Sequence, residues 1–188
     1  MGGLWPQAAH LPALDNAGMT PLKMLPCAVL LVSTALLGAC APALDWREVR
    51  PEGSGAELLF PCKPEQLHRP ATAQAPAMGL AVCRAAELSF SLSWSEMPRP
   101  DMPGPALQAM GEGLRQRLQA PEAGWQGLQL RGMTPRPESG QQRLLGPQQQ
   151  ARQALFSRGL KVYQLVMVGG RDNEAAWQNF LGSVRLPE

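Results

Sequence analysis

The sequence is poor in the residues that most hydrolytic sites need. It contains only two histidines, and His68 is the one that lies downstream of residue 40. Nucleophilic catalysis by Ser or Cys requires a base within reach. Gly53-Ser54-Gly55 lacks the flanking residues of a nucleophile elbow. We therefore predict no catalytic residues and expect a protein that is not an enzyme, with a hydrolase that uses His68 as the remaining enzymatic alternative.

Motifs for cofactors and nucleic acids are also absent. The sequence has no phosphate-binding loop, no dinucleotide-binding glycine pattern and no Cys-x-x-Cys-His site for haem. Its charge is nearly balanced, because 17 Lys and Arg oppose 15 Asp and Glu for a formal net charge of +2. No basic patch or acidic run stands out. We therefore expect no cofactor and no nucleic-acid partner.

The chain lacks an apolar run long enough to cross a membrane. Its main apolar segment, residues 24–39, is MLPCAVLLVSTALLGA. At about 1.5 Å per residue, a helix of this length reaches roughly 24 Å, whereas the hydrocarbon core of a bilayer is about 30 Å thick. Pro26 would also interrupt such a helix. Lys23 precedes the segment and small residues close it, which is the layout of a secretory signal.

The end of this segment, Leu37-Gly38-Ala39-Cys40, resembles the lipobox of bacterial lipoproteins. The resemblance implies that residues 1–39 are a leader and signal peptide, that Cys40 becomes the lipid-modified first residue, and that residues 40–45 are a tether. Two or more acyl chains anchor a protein stably, since each buried methylene contributes about 0.8 kcal/mol. In lipoproteins, Asp after the Cys is the usual inner-membrane retention signal. Ala41 therefore implies a lipid anchor in the outer membrane, facing the periplasm.

Residues 1–18 fit a signal peptide poorly. They contain no Lys or Arg and include the acidic Asp15. A start at Met19 would place Lys23 in a short leader directly before the apolar segment. We expect residues 1–18 to be either an over-long start assignment or a disordered leader, and Met1, Met19 and Met24 remain the alternative starts.

The cysteines predict a disulfide. Cys27 would leave with the signal peptide and Cys40 would carry lipid, so Cys62 and Cys83 remain. In an oxidising periplasm such a pair most often forms a disulfide, worth roughly 3 kcal/mol in the chain-entropy model. The alternative is a metal site that uses both cysteines and His68, although the spacing of zinc-binding Cys-x-x-Cys motifs is missing.

Methionine thioethers offer a second route to metal binding, because soft sulfur ligands bind copper. Met97 and Met102 bracket a proline-rich loop, but no Met-x-x-Met cluster occurs and Met is a common core residue. We predict no metal ligands. A periplasmic metal or small-ligand carrier remains the alternative function.

Alternation of apolar and polar residues predicts a half-buried β-sheet. In residues 87–95 the apolar residues fall on one face and a row of serines falls on the other. The serine row predicts a solvated or helix-covered face, with a hydrogen-bonding surface as the alternative. Further strands are predicted at 46–50, 57–60, 78–84, 125–131, 151–157 and 160–168. The last two form a hairpin, and 160–168 is predicted to be central because it is apolar on both faces.

Two amphipathic segments predict helices. The first ends before Pro121, and the second begins after a cap at Asp172 or Asn173. Their apolar stripes are Leu107, Met110, Leu114 and Leu118 in the first helix, and Trp177, Phe180, Leu181 and Val184 in the second.

Strands joined mostly by hairpins, with two helices between them, favour an α+β fold: one antiparallel sheet flanked by helices over residues 46–188. The order of elements, with the segments 59–64 (LFPCKP) and 176–186 (AWQNFLGSVRL), resembles the PsbP-like α/β/α sandwich. Members of that family mainly bind or stabilise other proteins. The resemblance therefore implies a non-catalytic interaction or stabilising module, whose partners would be the membrane, through the lipid anchor, and an unknown envelope protein.

Overall fold

A six-stranded antiparallel sheet is the centre of the fold in the computed structural model, which describes residues 43–187. The strand order is β3-β4-β5-β8-β7-β6, and a separate two-stranded sheet consists of β1 and β2. This architecture confirms the predicted α+β class. The elements are β1 Arg47–Val49, β2 Leu58–Phe60, β3 Glu65–Arg69, β4 Met78–Ala85, β5 Leu88–Glu96, α1 Pro103–Arg117, β6 Gly140–Leu145, β7 Gln150–Arg158, β8 Lys161–Gly169 and α2 Glu174–Gly182.

One face of the large sheet packs against α2 and the small sheet. The apolar side chains predicted for β5 are buried there, and Phe90 contacts Phe180 of α2 with ring centroids 5.3 Å apart. Phe60 of β2 packs edge-on against the same Phe180 ring at 5.1 Å. Helix α2 begins at the predicted cap, because Asn173 accepts a hydrogen bond from the backbone N–H of Ala176 at 3.0 Å. This layer contains the main hydrophobic core.

Helix α1 lies on the opposite face, over β7 and β8. Leu107 packs with Leu155 and Val162, and Leu114 packs in a cluster that includes Val166. Strand β8 therefore meets apolar neighbours on both faces and lies between β5 and β7. Its predicted central position is confirmed.

Two strand predictions need correction, and two strands were missed. Residues 46–50 contribute β1, but β1 pairs with β2 and not with the large sheet. Residues 125–131 are not a strand: their pairing is a single bridge between Gln126 and Gln141, as Gly124 and Gly127 weaken a strand here. Strands β3 and β6 were not predicted, because edge strands carry polar side chains on both faces and show little alternation.

The predicted disulfide between Cys62 and Cys83 is confirmed, with a Cα–Cα distance of 6.0 Å. It connects the segment after β2 to β4, and thus fastens the small sheet to the large one. The predicted signal peptide, Cys40 and most of the tether lie outside the described residues. Among residues 43–187, neither helix is long and apolar enough to span a membrane.

Candidate functional site

The serine row of β5 forms part of a partly exposed surface on the α1 side of the sheet. Helix α1 covers β7 and β8, whereas the central side chains of β4 and the serines of β5 on this face keep intermediate exposure. We call this surface the serine face and define it by Ser89, Ser91, Ser93, Leu80 and Val82. The strand register brings Leu80 opposite Ser93 and Val82 opposite Ser91. Serine hydroxyls on β5 therefore lie beside aliphatic side chains on β4.

The serine hydroxyls have bonding capacity to spare. Ser95, at the end of the row, donates to the carbonyl of Ala77 at 3.3 Å. Within residues 43–187, the structure gives Ser89, Ser91 and Ser93 no hydrogen-bond partner for their hydroxyls. Each hydroxyl can donate one hydrogen bond and accept two. The serine face can thus bind a surface that offers both apolar contacts and hydrogen-bonding groups.

Strand β3 forms the sheet edge beside the serine face. All five of its residues are exposed, and it pairs with β4 on one side. Leu67, at its centre, is 70% exposed. The opposite edge differs, since a backbone bridge at Gln126 covers part of β6. In the described part of the chain, β3 is therefore the edge that offers unpaired backbone groups to another strand.

His68 lies in β3, one of the two strands that were not predicted from the sequence. Its Nδ1 atom is 3.3 Å from Oε1 of Glu52, and its ring centroid is 5.4 Å from that of Trp94. Lys161 Nζ lies 4.9 Å from the same Trp94 ring and donates a 2.7 Å hydrogen bond to the carbonyl of Gly53. These contacts fasten the turn between β1 and β2 to the large sheet.

The structure does not bring together the candidate metal ligands Cys62, Cys83 and His68 as a metal site. The two sulfurs bond each other, and only thiolates are good metal ligands. Among residues 43–187, no group of three or more His, Cys, Asp or Glu residues is placed to hold a metal ion. Met97 packs beside the Leu107 cluster as a core residue, and the carbonyl of Met102 accepts from Ala106 at the start of α1.

Ser54 has a structural role. It is fully buried, and its hydroxyl donates to the carbonyl of Pro51 at 2.7 Å while accepting from the N–H of Ala56 at 3.0 Å. These bonds close the turn that precedes β2. The hydroxyl thus bonds to the backbone and forms no hydrogen bond with His68, the histidine of the described chain.

A cleft of about 600 Å³ between α1 and the segment before β6 was not predicted from the sequence. Trp125, 47% exposed, forms one wall. Glu112 of α1 also lines the cleft, and hydrogen bonds from Arg115 and Gln116 lower its pKa to about 2. The buried hydroxyl of Ser139 has no hydrogen-bond partner within the described residues. Trp125 was the residue in the sequence that could have indicated this cleft, but the alternation of apolar and polar residues after it predicted a strand instead.

Comparison with known proteins gives a likeness to a solved structure. No protein-family model and no curated protein matches the chain. The chain is similar to the solution structure of cyanobacterial PsbP (CyanoP) from Synechocystis sp. PCC 6803, with 12% sequence identity and a TM-score of 0.44. The similarity covers 80% of this chain and 99% of that chain. The α+β class of this protein rests on its own sheet and helices, as described above.

Proposed function

We propose that the protein is a lipid-anchored periplasmic lipoprotein that acts as a non-catalytic interaction or stabilising module of the cell envelope. The lipobox-like segment Leu37-Gly38-Ala39-Cys40 supports an anchor at Cys40, and Ala41 supports the outer membrane. The observation that carries the interaction role is the serine face. On this face of the sheet, helix α1 covers β7 and β8. The neighbouring serine face is left partly exposed, with serine hydroxyls that have no hydrogen-bond partner within the described residues.

The chemistry of the serine face favours an uncharged partner surface. Its centre consists of hydroxyl and aliphatic side chains, whereas Arg84, Glu65 and Arg69 lie at its rim. The centres of protein interfaces are depleted of charge and their rims are polar. We therefore infer an envelope protein that presents small aliphatic side chains and hydrogen-bonding groups, and that packs beside α1.

Site-specific photo-cross-linking in cells tests this function. A photoreactive residue replaces Ser91 at the centre of the face, and the matched control replaces Arg117, which is exposed on α1. We expect one abundant envelope protein to be captured from position 91, little from position 117, and loss of capture when Cys40→Ser removes the anchor. Equal capture at both positions would contradict a specific surface.

A point substitution gives an independent readout. Ser91→Lys places a charge at the centre of the serine face, where burial of an unpaired charge is costly. We expect capture of the same protein to fall at least about tenfold, which is roughly 1.4 kcal/mol. Arg117→Ala, the control, should leave capture unchanged.

The cleft beside Trp125 favours small-ligand carriage as a second candidate function. An aromatic wall and an unpartnered buried hydroxyl are features of small-molecule sites. A ligand in this cleft would raise the unfolding temperature of the protein, and Trp125→Ala would abolish that rise. If a compound library raises the unfolding temperature of both proteins equally, the cleft is not the site.

A further inference from the structure

We propose that strand β3 is a self-association edge. Two copies of the chain would pair antiparallel through β3, about a two-fold axis at Leu67, and join their six-stranded sheets into one. The inference goes beyond the interaction role proposed above and depends neither on the lipid anchor nor on the partner of the serine face.

The sequence of β3 is complementary to itself in this arrangement. Antiparallel pairing centred on Leu67 places Glu65 of one copy opposite Arg69 of the other, and the two-fold axis repeats this pair on the other side of the centre. Within residues 43–187, neither Glu65 nor Arg69 takes part in an ion pair. Directly opposed charges of opposite sign stabilise neighbouring strands, and like charges destabilise them.

Apolar contacts would surround the axis. Leu67 is 70% exposed although it lies at the middle of a strand, and its neighbour on β4 is Leu80. The paired sheets would thus carry a continuous row of four leucines, two from each copy, across the joined edges. Glu65, Leu67 and Arg69 share one face, so the charged pairs would flank this row.

Prolines set the register. Pro64 and Pro70 bracket β3, and a proline cannot donate a hydrogen bond to a partner strand. A two-fold axis at Leu67 pairs all five strand residues. It places Pro64 of one copy opposite Pro70 of the other, outside the ladder of backbone hydrogen bonds. An axis one residue towards Pro70 would bring that proline opposite Gln66, inside the pairing.

The other face of β3 is already engaged within the chain. The Gln66 side chain accepts a 3.1 Å hydrogen bond from the backbone N–H of Glu52, and His68 lies against Glu52 and Trp94. The turn between β1 and β2 therefore holds β3 in place from this face. The Leu67 face remains exposed, which leaves β3 ordered and able to pair.

A charge-exchange experiment tests the pairing. Full chains with two different tags are co-expressed and extracted in mild detergent, and the amount of the second tag that is captured with the first is measured. Wild-type copies should capture each other. Glu65→Arg alone and Arg69→Glu alone should each reduce capture roughly tenfold, because like charges then oppose each other at two symmetric positions.

The decisive combination mixes the two variants. Glu65→Arg in one copy and Arg69→Glu in the other restores opposite charges at both positions, so capture should return to near the wild-type amount. Arg117→Glu, an exposed charge reversal on α1 away from β3, is the control and should leave capture unchanged. Circular dichroism and thermal unfolding verify that each variant is folded. Absence of wild-type capture, or failure of the mixed pair to recover, would overturn the proposal.

Discussion

At the scale of single residues, we expect two buried polar contacts to stabilise the fold, and a single substitution tests each of them. Arg152 on β7 forms two hydrogen bonds of 2.8 Å to the carboxylate of Asp172, and both side chains are largely buried. Tyr163 on β8 donates its hydroxyl to the carbonyl of Ser54 at 2.8 Å. Both contacts join the sheet to segments outside it, so their loss should destabilise the fold without touching the serine face.

Asp172→Asn should lower the free energy of unfolding by about 2–3 kcal/mol at neutral pH, because Arg152 then keeps only the exposed carboxylate of Glu174, 3.4 Å away, as a counter-charge. Hydrogen bonding from Arg152 lowers the pKa of Asp172 in the folded protein. This contribution is therefore present above the unfolded-state pKa of about 3.9 and declines as pH falls below it. Denaturant titrations at pH 7 and pH 3 measure both effects.

The control for this prediction is Asp101→Asn, which removes an ion pair with Arg99 in which both side chains are 68% exposed. Such pairs contribute about 0–1 kcal/mol, so we expect little change at either pH. A loss for Asp172→Asn as small as that of the control would contradict the prediction.

Tyr163→Phe should destabilise the protein by about 1–2 kcal/mol, because the buried carbonyl of Ser54 loses its donor. Burial raises the pKa of Tyr163 to about 12. The neutral phenol thus favours the folded state at pH values below the unfolded pKa of about 10, and this advantage is lost as pH rises from about 10 to 12. Alkaline unfolding curves of the wild type and Tyr163→Phe measure the difference.

Because the chain has one tyrosine, the pH-dependent absorbance of tyrosinate reports this group alone, whereas the five tryptophans absorb without titrating. Tyrosinate should form together with unfolding as the pH rises. Formation of tyrosinate near pH 10 in a protein that is still folded would contradict the burial argument.

At the scale of elements, the close packing of Trp94 over β4 explains why position 79 is a glycine. A Cβ atom at Gly79 on β4 would lie 2.5 Å from Nε1 of Trp94, which faces it from β5. Gly79 thus lets the indole lie flat on its neighbouring strand. Gly113 in α1 differs, as a Cβ atom there would meet nothing within 4 Å.

These two glycines give a matched prediction. Gly79→Ala should destabilise the protein by about 2 kcal/mol, because Trp94 must shift within a packed core. Gly113→Ala should stabilise it by about 0.5–1 kcal/mol, because alanine is the better helix former. Thermal and denaturant unfolding measure both, and equal effects of the same sign would refute the packing explanation.

At the scale of the whole molecule, the disulfide connects the small sheet to the large one. Removing it in Cys62→Ser/Cys83→Ser should cost about 3 kcal/mol of unfolding free energy. A reductant should lower the stability of the wild type towards that of the double variant and leave the double variant unchanged. A reductant effect that persists in the double variant would show that another group is responsible.

The three candidate binding surfaces lie on different parts of the molecule. The serine face lies on the side of α1, the β3 edge lies beside it, and the Trp125 cleft lies between α1 and the segment before β6. A partner on the serine face and a second copy at β3 would therefore be neighbours. Ser91→Lys should weaken capture of the envelope protein and leave pairing through β3 unchanged, because β4 separates Ser91 on β5 from the β3 edge, which allows the two proposals to be tested separately.

The sequence predicted the fold class and most of the elements, since burial imposes a periodicity that can be read directly. The alternation in β5, the two apolar faces of β8 and the stripe from Trp177 to Val184 all follow from contact with a core. The sequence failed to predict elements whose burial produces no periodic pattern of apolar residues. Strand β3 has one large apolar side chain, Leu67, in an otherwise polar segment, and its strand character comes from hydrogen bonding to β4.

The sequence by itself determined the α+β class, the central strand, a helix cap at Asp172 or Asn173 and the pairing partners available for a disulfide, because each depends on local composition or spacing. Only the tertiary structure decided that α1 covers β7 and β8 and leaves the serine face partly exposed, and that β3 becomes an open edge. These features depend on which strands become neighbours. That choice is made by contacts between residues far apart in the chain, which no local pattern records.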